Sequence, residues 1–201
     1  MTSPALAQTV LAQPSLAHRL WPATGAQAAL RAVVLCLFGS LLLALSAKVQ
    51  VPFWPVPMTM QTFVVLVLGA AYGWRLGLAT VLLYLAEGAA GLPVFAGSPE
   101  RGIGLAYMVG PTGGYLLGFA LSALATGWMV ERGWGRGLLG LTLAMLIGHA
   151  LILAPGVAWL AMAIGWSKAV AVGLTPFWAA TALKTALAVA AILGLDRLSA
   201  R

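Results

Sequence analysis

Charge is scarce in this sequence. Only 7% of its 201 residues are charged, whereas soluble domains carry roughly a quarter, so a soluble globular protein is excluded. Acidic residues are the rarest, with four Asp and Glu against eleven Lys and Arg. The basic residues form no run that could grip a phosphate backbone, so no nucleic-acid partner is expected. The single cysteine, Cys36, excludes an intrachain disulfide.

Motifs for nucleotide hydrolysis and for catalysis are also missing. None of the three lysines, Lys48, Lys168 and Lys184, follows the glycine of a phosphate-binding loop. The chain has no HExxH, no GxSxG and no Cys/His metal spacing. His18 and His149 lie far apart and are interpreted as a tail residue and a helix-packing residue. We therefore expect neither an enzyme nor a bound cofactor.

Long hydrophobic runs are abundant and predict an all-α integral membrane protein with six transmembrane helices and its termini in the cytoplasm. The predicted spans comprise residues 26–47, 58–72, 76–90, 111–130, 138–158 and 176–195. Spans two and three are short, which implies local thinning of the bilayer, burial among neighbours or loops that dip into the membrane. A further apolar piece, 157–164, extends span five or forms a short helix. Residues 1–25 are predicted to be a cytoplasmic tail and 26–201 a single transmembrane domain.

The distribution of positive charge gives the orientation. With both termini inside, seven basic residues lie in the cytoplasm and three outside. The inner set is Arg19, Arg31, Arg75, Arg132, Arg136, Arg197 and Arg201, and the outer set is Lys48, Arg101 and Lys168. The outer loops are longer and rich in Pro and Gly, and irregular backbone near a membrane is kept where something is bound. The outer loops are therefore the predicted binding face.

Small residues recur at every fourth position, a spacing that lets helices approach closely in lipid. Two glycine series are interpreted as packing within the chain: Gly69, Gly73 and Gly77, and Gly110, Gly114 and Gly118. The pair Ala28 and Ala32 offers a similar patch on span one. Its spacing alone is equally consistent with packing inside the chain and with contact to a partner subunit.

Three segments are denser in turn-forming, aromatic and polar residues than packing requires: VPFWPVPMTMQT (51–62), YLAEGAAGLPVFAG (84–97) and GPTGGYLLGF (110–119). Their order and separation resemble the BioY family, the biotin-binding substrate subunits of energy-coupling-factor (ECF) vitamin transporters. The runs GLPVF and GPTGGY are the most specific part of this resemblance. It covers residues 48–119 densely and the rest loosely.

The resemblance implies a six-helix substrate subunit of a prokaryotic cell membrane that binds biotin with high affinity from outside. It also implies assembly with a transmembrane coupling subunit and two ATPases, although the ATPases are not obligatory for all family members. Ala28 and Ala32 are similar to the alanine motif with which such subunits contact the coupling subunit. A substrate subunit for another vitamin remains an alternative, and a small membrane enzyme or a structural membrane protein is a rival from a different class.

Lys184 is the most informative charge, because it lies about halfway along span six, where an ionised group costs about 2.5–3.5 kcal/mol. The family pattern here is PF-x-x-G-D-x-x-K, whose acid and lysine contact biotin, and Pro176, Phe177 and Lys184 match it. Thr181 stands where the acid is expected. The missing carboxylate puts the contacts to the ureido group in doubt, and Glu87 is the available substitute.

The chemistry of biotin suggests the remaining candidates, because a ureido group, an apolar ring and a carboxylate require aromatic walls, aimed polar groups and a cation. For the walls we consider Trp54, Tyr84, Phe95 and Tyr115. For hydrogen bonds we consider Gln61, Thr112 and Glu87. The cation is either Arg101 or Lys184. Each aromatic is about as consistent with a core or membrane-interface role as with a place in the pocket.

Overall fold

The computed structural model describes residues 14–199. Eight α-helices follow one another in this range: α1 Leu16–Leu20, α2 Gly25–Lys48, α3 Gln61–Ala89, α4 Gly104–Met108, α5 Gly113–Glu131, α6 Leu138–Ile164, α7 Trp166–Gly173 and α8 Trp178–Ser199. Two short antiparallel strands, β1 Gln50–Val51 and β2 Met58–Thr59, connect α2 to α3, with Gln50 opposite Thr59. Residues 1–13 of the predicted tail and Arg201 lie outside the described range, and the rest of that tail contains α1.

Five helical stretches are long and apolar enough to cross a membrane: Gly25–Lys48, Gln61–Ala89, Gly113–Glu131, Leu138–Ile164 and Trp166–Ser199. The prediction of an all-α membrane protein is confirmed. Residues 157–164 extend span five within α6, which is one of the two predicted possibilities. The short helix α7, which precedes the last span, was not predicted. The number of six crossings stays a prediction, because the predicted spans two and three both fall within α3.

The helix α3 turns back on itself at Gly73, whose φ of 80° and ψ of 171° are not helical. The side-chain amide of Gln61 consequently lies 2.6 Å from the Tyr84 hydroxyl, whereas a straight helix would separate these residues by about 35 Å. Gly77 packs directly on Gly69 across the turn. The two antiparallel halves, 61–72 and 74–89, favour two crossings. The first half is only about 18 Å long, shorter than the roughly 30 Å apolar core of a bilayer.

The predicted glycine contacts lie within the chain. The backbone of Gly69 meets that of Ala123 on α5, and Gly118 of α5 meets the backbone of Ile152 on α6. A Cβ on either glycine would lie within 2.8 Å of these neighbouring backbone atoms, closer than van der Waals contact allows. The helices α3, α5 and α6 therefore approach backbone to backbone at Gly69 and Gly118, as the packing interpretation predicts, whereas Gly73 forms a turn and Gly110 meets the neighbouring Tyr107.

The two ends of the bundle carry different polar contacts. At the end predicted to be cytoplasmic, here called the inner end, Arg19 of α1 forms an ion pair with Asp196 of α8. At the outer end, the Lys48 ammonium donates to the carbonyls of Pro93, Phe95 and Ser98 at 2.9–3.3 Å. The beginning and end of the described chain thus meet at one face. The long loops after α2 and α3 lie together at the other.

Candidate ligand-binding site at the outer end

A cavity opens between β2, α4, α5, α6 and α8 at the outer end of the bundle. The centre of a water molecule can reach ≈ 50 Å³ of it, and all space not filled by atoms, including the part open to solvent, amounts to ≈ 490 Å³. Four residues predicted from the sequence line it, namely Gln61, Thr112, Tyr115 and Lys184. Most of the remaining wall is apolar, with Val56, Ala96, Leu116, Phe119, Ile152, Leu153 and Phe177. A mostly apolar cleft with a few aimed polar groups is the usual form of a small-molecule site.

Lys184 carries the charge of this cavity. Its side chain is 6% exposed, and its ammonium donates to the carbonyl oxygen of Thr59 at 2.6 Å. Of the described residues that line the cavity, none is acidic. A carbonyl dipole offsets a buried positive charge less completely than a carboxylate would. The cavity therefore favours a ligand with an anionic or strongly accepting group.

The amide of Gln61 is held in one orientation by a short hydrogen-bond chain. It donates to the Tyr84 hydroxyl at 2.6 Å, which in turn donates to the Val94 carbonyl at 3.2 Å. The Thr59 hydroxyl donates to the Gln61 amide oxygen at 3.3 Å. Tyr84 is fully buried and does not line the cavity. It positions Gln61 rather than forming a wall, so its predicted direct role does not fit this geometry.

The sequence analysis missed Tyr107, which lies on α4 and lines the cavity. Its ring stacks on Phe95 with centroids 4.7 Å apart, and its hydroxyl donates to the Ala96 carbonyl at 2.8 Å. Burial raises the pKa of the Tyr107 phenol, which stays a neutral donor. Phe95 is fully buried behind it and is a core residue instead of a wall. The signal available in the sequence was an aromatic residue shortly before the GPTGGY run.

Tyr115 and Thr112 are placed by the start of α5. Thr112 is the N-cap residue of that helix. The Tyr115 hydroxyl donates to the Gly173 carbonyl on α7 at 2.7 Å, and its ring lies beside Phe177. The ring is seated over Gly156 of α6, where a Cβ would collide with it. Tyr115 thus forms a wall of the cavity and also ties α5 to α6 and α7.

Arg101 and Glu87 do not line the cavity, because each binds other groups. Arg101 donates to the carbonyls of Phe53 and Pro55 at 3.3 Å, and its guanidinium lies 5.6 Å from the centre of the Trp54 ring. Arg101 therefore links the loop after α3 to the loop after α2. Trp54 is 79% exposed, and neither Arg101 nor Trp54 lines the cavity. Glu87 accepts a hydrogen bond from Ser40 of α2. Its predicted role as a substitute acid near Lys184 does not fit this placement.

Two predicted positions lie beside the site or far from it. Thr181 is half-buried one helical turn before Lys184 and is not part of the cavity lining. Ala28 and Ala32 are half-buried near the inner end of α2, on the same helical face as Leu43, which is buried against α3. The proposed contact of these alanines with a partner stays a prediction.

Comparison with known proteins identifies the family. Residues 17–201 match the model of the family described as the BioY family. The chain belongs to the BioY family. It is 37% identical over 148 residues to the probable biotin transporter BioY of Pyrococcus horikoshii. The aligned region covers 74% of this chain and 85% of the Pyrococcus protein. It is 37% identical over 173 residues to the biotin transporter BioY of Rhizobium etli, covering 81% and 89%.

A solved structure shares the fold of this BioY chain. The S-component for biotin from an ECF-type ABC transporter superposes with a TM-score of 0.73 at 20% sequence identity, covering 89% of this chain and 96% of the other. The biotin transporter BioY of Thermotoga maritima is 36% identical over 155 residues. With relatives in bacteria and an archaeon and several apolar helices, this BioY protein is a multi-pass protein of a prokaryotic inner membrane.

Proposed function

We propose that this BioY protein binds biotin from the outer side of the membrane and acts as the substrate-binding subunit of an ECF-type importer. The observation that carries the proposal is the outer cavity, whose lining within residues 14–199 contains a buried lysine and no acid beside tyrosine, amide and hydroxyl groups. The relatives named as biotin transporters support the choice of ligand. No chemistry on the ligand is involved, and transport is a change of conformation driven by partner ATPases.

The polar groups of the cavity match those of biotin. The Lys184 ammonium can donate to the carboxylate or to the ureido oxygen. Acceptors for the ureido N–H groups are the oxygens of Gln61, Thr112 and Thr59, which take the place of the missing acid at Thr181. The apolar ring would rest on Phe119 and Phe177. Neutral acceptors form weaker hydrogen bonds than a carboxylate, so affinity has to rest more heavily on burial of the apolar ring.

Titration calorimetry of the purified protein tests the proposal. Biotin is expected to bind one-to-one with a Kd below about 1 µM, which corresponds to roughly −8 kcal/mol. Thiamine is a cation and is expected to give no heat, because the described residues that line the cavity include a lysine and no acid. Riboflavin is expected to give none because its three-ring system is larger than the bicyclic ring of biotin. Heat with one of those vitamins and none with biotin would reassign the ligand. Absence of heat with all three would refute the proposed binding of biotin.

Assembly through α2 makes a separate prediction. If Ala28 and Ala32 form the surface for the coupling subunit, replacing both with leucine should abolish co-purification with that subunit and leave biotin affinity unchanged, because close approach at that face would be lost. The matched control replaces Ala26 and Ala29, which are exposed on other faces of the same helical turns, and should co-purify normally. Loss of biotin binding together with assembly would mean that the alanines pack within the chain.

A further inference from the structure

Directly beneath the cavity, Thr185 of α8 contacts His149 of α6. The Thr185 hydroxyl oxygen lies 3.1 Å from the imidazole Nδ1. Both side chains are buried, and His149 is only 2% exposed. Thr185 immediately follows Lys184, whose ammonium reaches up to Thr59. Consecutive residues of α8 therefore form one polar contact with the cavity wall and one with a neighbouring helix.

The imidazole is fixed by its own helix. Nδ1 also lies 3.2 Å from the Met145 carbonyl one turn earlier on α6. A carbonyl only accepts, so this contact is a hydrogen bond in the tautomer with the proton on Nδ1, and the Thr185 hydroxyl then accepts from the same N–H group. In the other tautomer the Thr185 hydroxyl donates to Nδ1 and the Met145 contact is not a hydrogen bond. In residues 14–199, Nε2 is buried and has no hydrogen-bond partner. Leaving a buried imidazole nitrogen unpaired costs free energy, so packing alone does not explain a histidine at this position.

The outer half of α8 is held weakly by apolar contacts. Trp178 and Leu183 are more than 60% exposed, while the buried apolar residues of α8 lie further along the helix, at Ala188, Val189 and Ile192. Apart from Phe177 directly before α8, the outer half is held by the polar contacts of Lys184 and Thr185 rather than by buried apolar side chains. The contact between Thr185 and His149 is where the outer half meets α6 through polar atoms.

We propose that His149 is a positioning residue for the ligand site, acting through Thr185 to hold α8 in the rotation that directs Lys184 into the cavity. Since adjacent helical residues differ by about 100° in direction, fixing the direction of Thr185 fixes that of Lys184. His149 itself does not line the cavity and touches no ligand in this arrangement. The inference rests on the proposed function, because the positioning role of His149 is defined by its effect on biotin affinity.

A double-mutant cycle tests the inference. Thr185→Val removes the hydroxyl at nearly constant volume, and His149→Leu removes the imidazole that it contacts. Each is expected to weaken biotin binding roughly three- to tenfold, the effect of one buried hydrogen bond. In a Lys184→Met background, the same substitutions are expected to change affinity by less than about twofold, because no ammonium remains to be aimed. Thr185→Ser keeps the hydroxyl and should restore most of the affinity.

The control is Thr126→Val on α5. Thr126 is fully buried, and within the described chain its hydroxyl has no hydrogen-bond partner, so this substitution should leave affinity unchanged. An equal loss in the wild-type and Lys184→Met backgrounds would overturn the positioning role, since it would show a general structural effect. Unchanged affinity in both Thr185→Val and His149→Leu would also overturn it. Failure of the unmodified protein to bind biotin would instead refute the proposed function.

Discussion

Lys184→Met is expected to weaken biotin binding roughly ten- to hundredfold. Of the described residues that line the cavity, Lys184 is the charged one, and a hydrogen bond to a charged group contributes about 1.5–3 kcal/mol. Methionine keeps most of the side-chain volume and removes the donor. The dissociation constant from calorimetry, or from displacement of labelled biotin where binding is weak, measures the effect.

Thermal stability separates a binding role from a structural one in the same variant. A buried charge without an acidic partner is costly in a membrane helix, and apolar replacement of buried charges is often neutral or stabilising. The apparent Tm of Lys184→Met should therefore stay level or rise while affinity falls. The control is Lys168→Met on the exposed face of α7, which should alter neither quantity. Unchanged affinity in Lys184→Met would remove Lys184 from the site.

Gly73→Ala is expected to destabilise the protein by roughly 2–6 kcal/mol. Alanine would have to adopt a φ of 80° that strains any L-residue, at about 1–3 kcal/mol. Its Cβ would also collide with the Glu131 carboxylate at the end of α5, and forced overpacking costs a further 1–3 kcal/mol or so. The apparent Tm in detergent should fall clearly, since the turn of the α3 hairpin cannot keep its geometry.

Alanine substitutions at two other glycines distinguish the cost of backbone strain from the cost of the collision with Glu131. Gly165 has nearly the same backbone angles as Gly73, with φ 84° and ψ 154°, but a Cβ there would meet nothing within 4 Å. Gly194 lies within α8 and is equally open. Alanine at 194 should be neutral or slightly stabilising, alanine at 165 should carry the strain alone, and alanine at 73 should be the most damaging. Equal effects at 73 and 165 would show that Glu131 simply moves aside.

Patterns along one helix were predictable from the sequence, and contacts between loops were not. Lys184 was conspicuous because one charge interrupts a long apolar run, and burial follows directly from that pattern. The turn at Gly73 was visible as GWRLG between two short apolar runs. The helices α1 and α7 were missed because they are short, and short helices leave a weak periodic signal.

The predicted site residues that do not line the cavity have one physical cause in common. Arg101 and Glu87 both lie at the predicted outer end, but sequence does not reveal which neighbour a side chain faces there. The Arg101 guanidinium donates hydrogen bonds to the backbone carbonyls of Phe53 and Pro55. The Glu87 carboxylate accepts one from the Ser40 hydroxyl. Tyr107 escaped attention for the same reason, since only the folding of its loop brings it to the cavity. These partners are far apart in the chain and leave no local pattern.

The contacts that join distant parts of the chain also order its assembly in time. Arg19 and Asp196 are 177 positions apart, and Lys184 lies 125 positions after Thr59. At a synthesis rate of roughly 5–20 residues per second, Arg19 waits about 10–35 s for its partner. The hairpin of α3 and its contacts with α5 are complete long before then. The cavity is therefore complete only once Lys184 has been synthesised and joins the groups that precede it, and the ion pair of Arg19 with Asp196 forms later still.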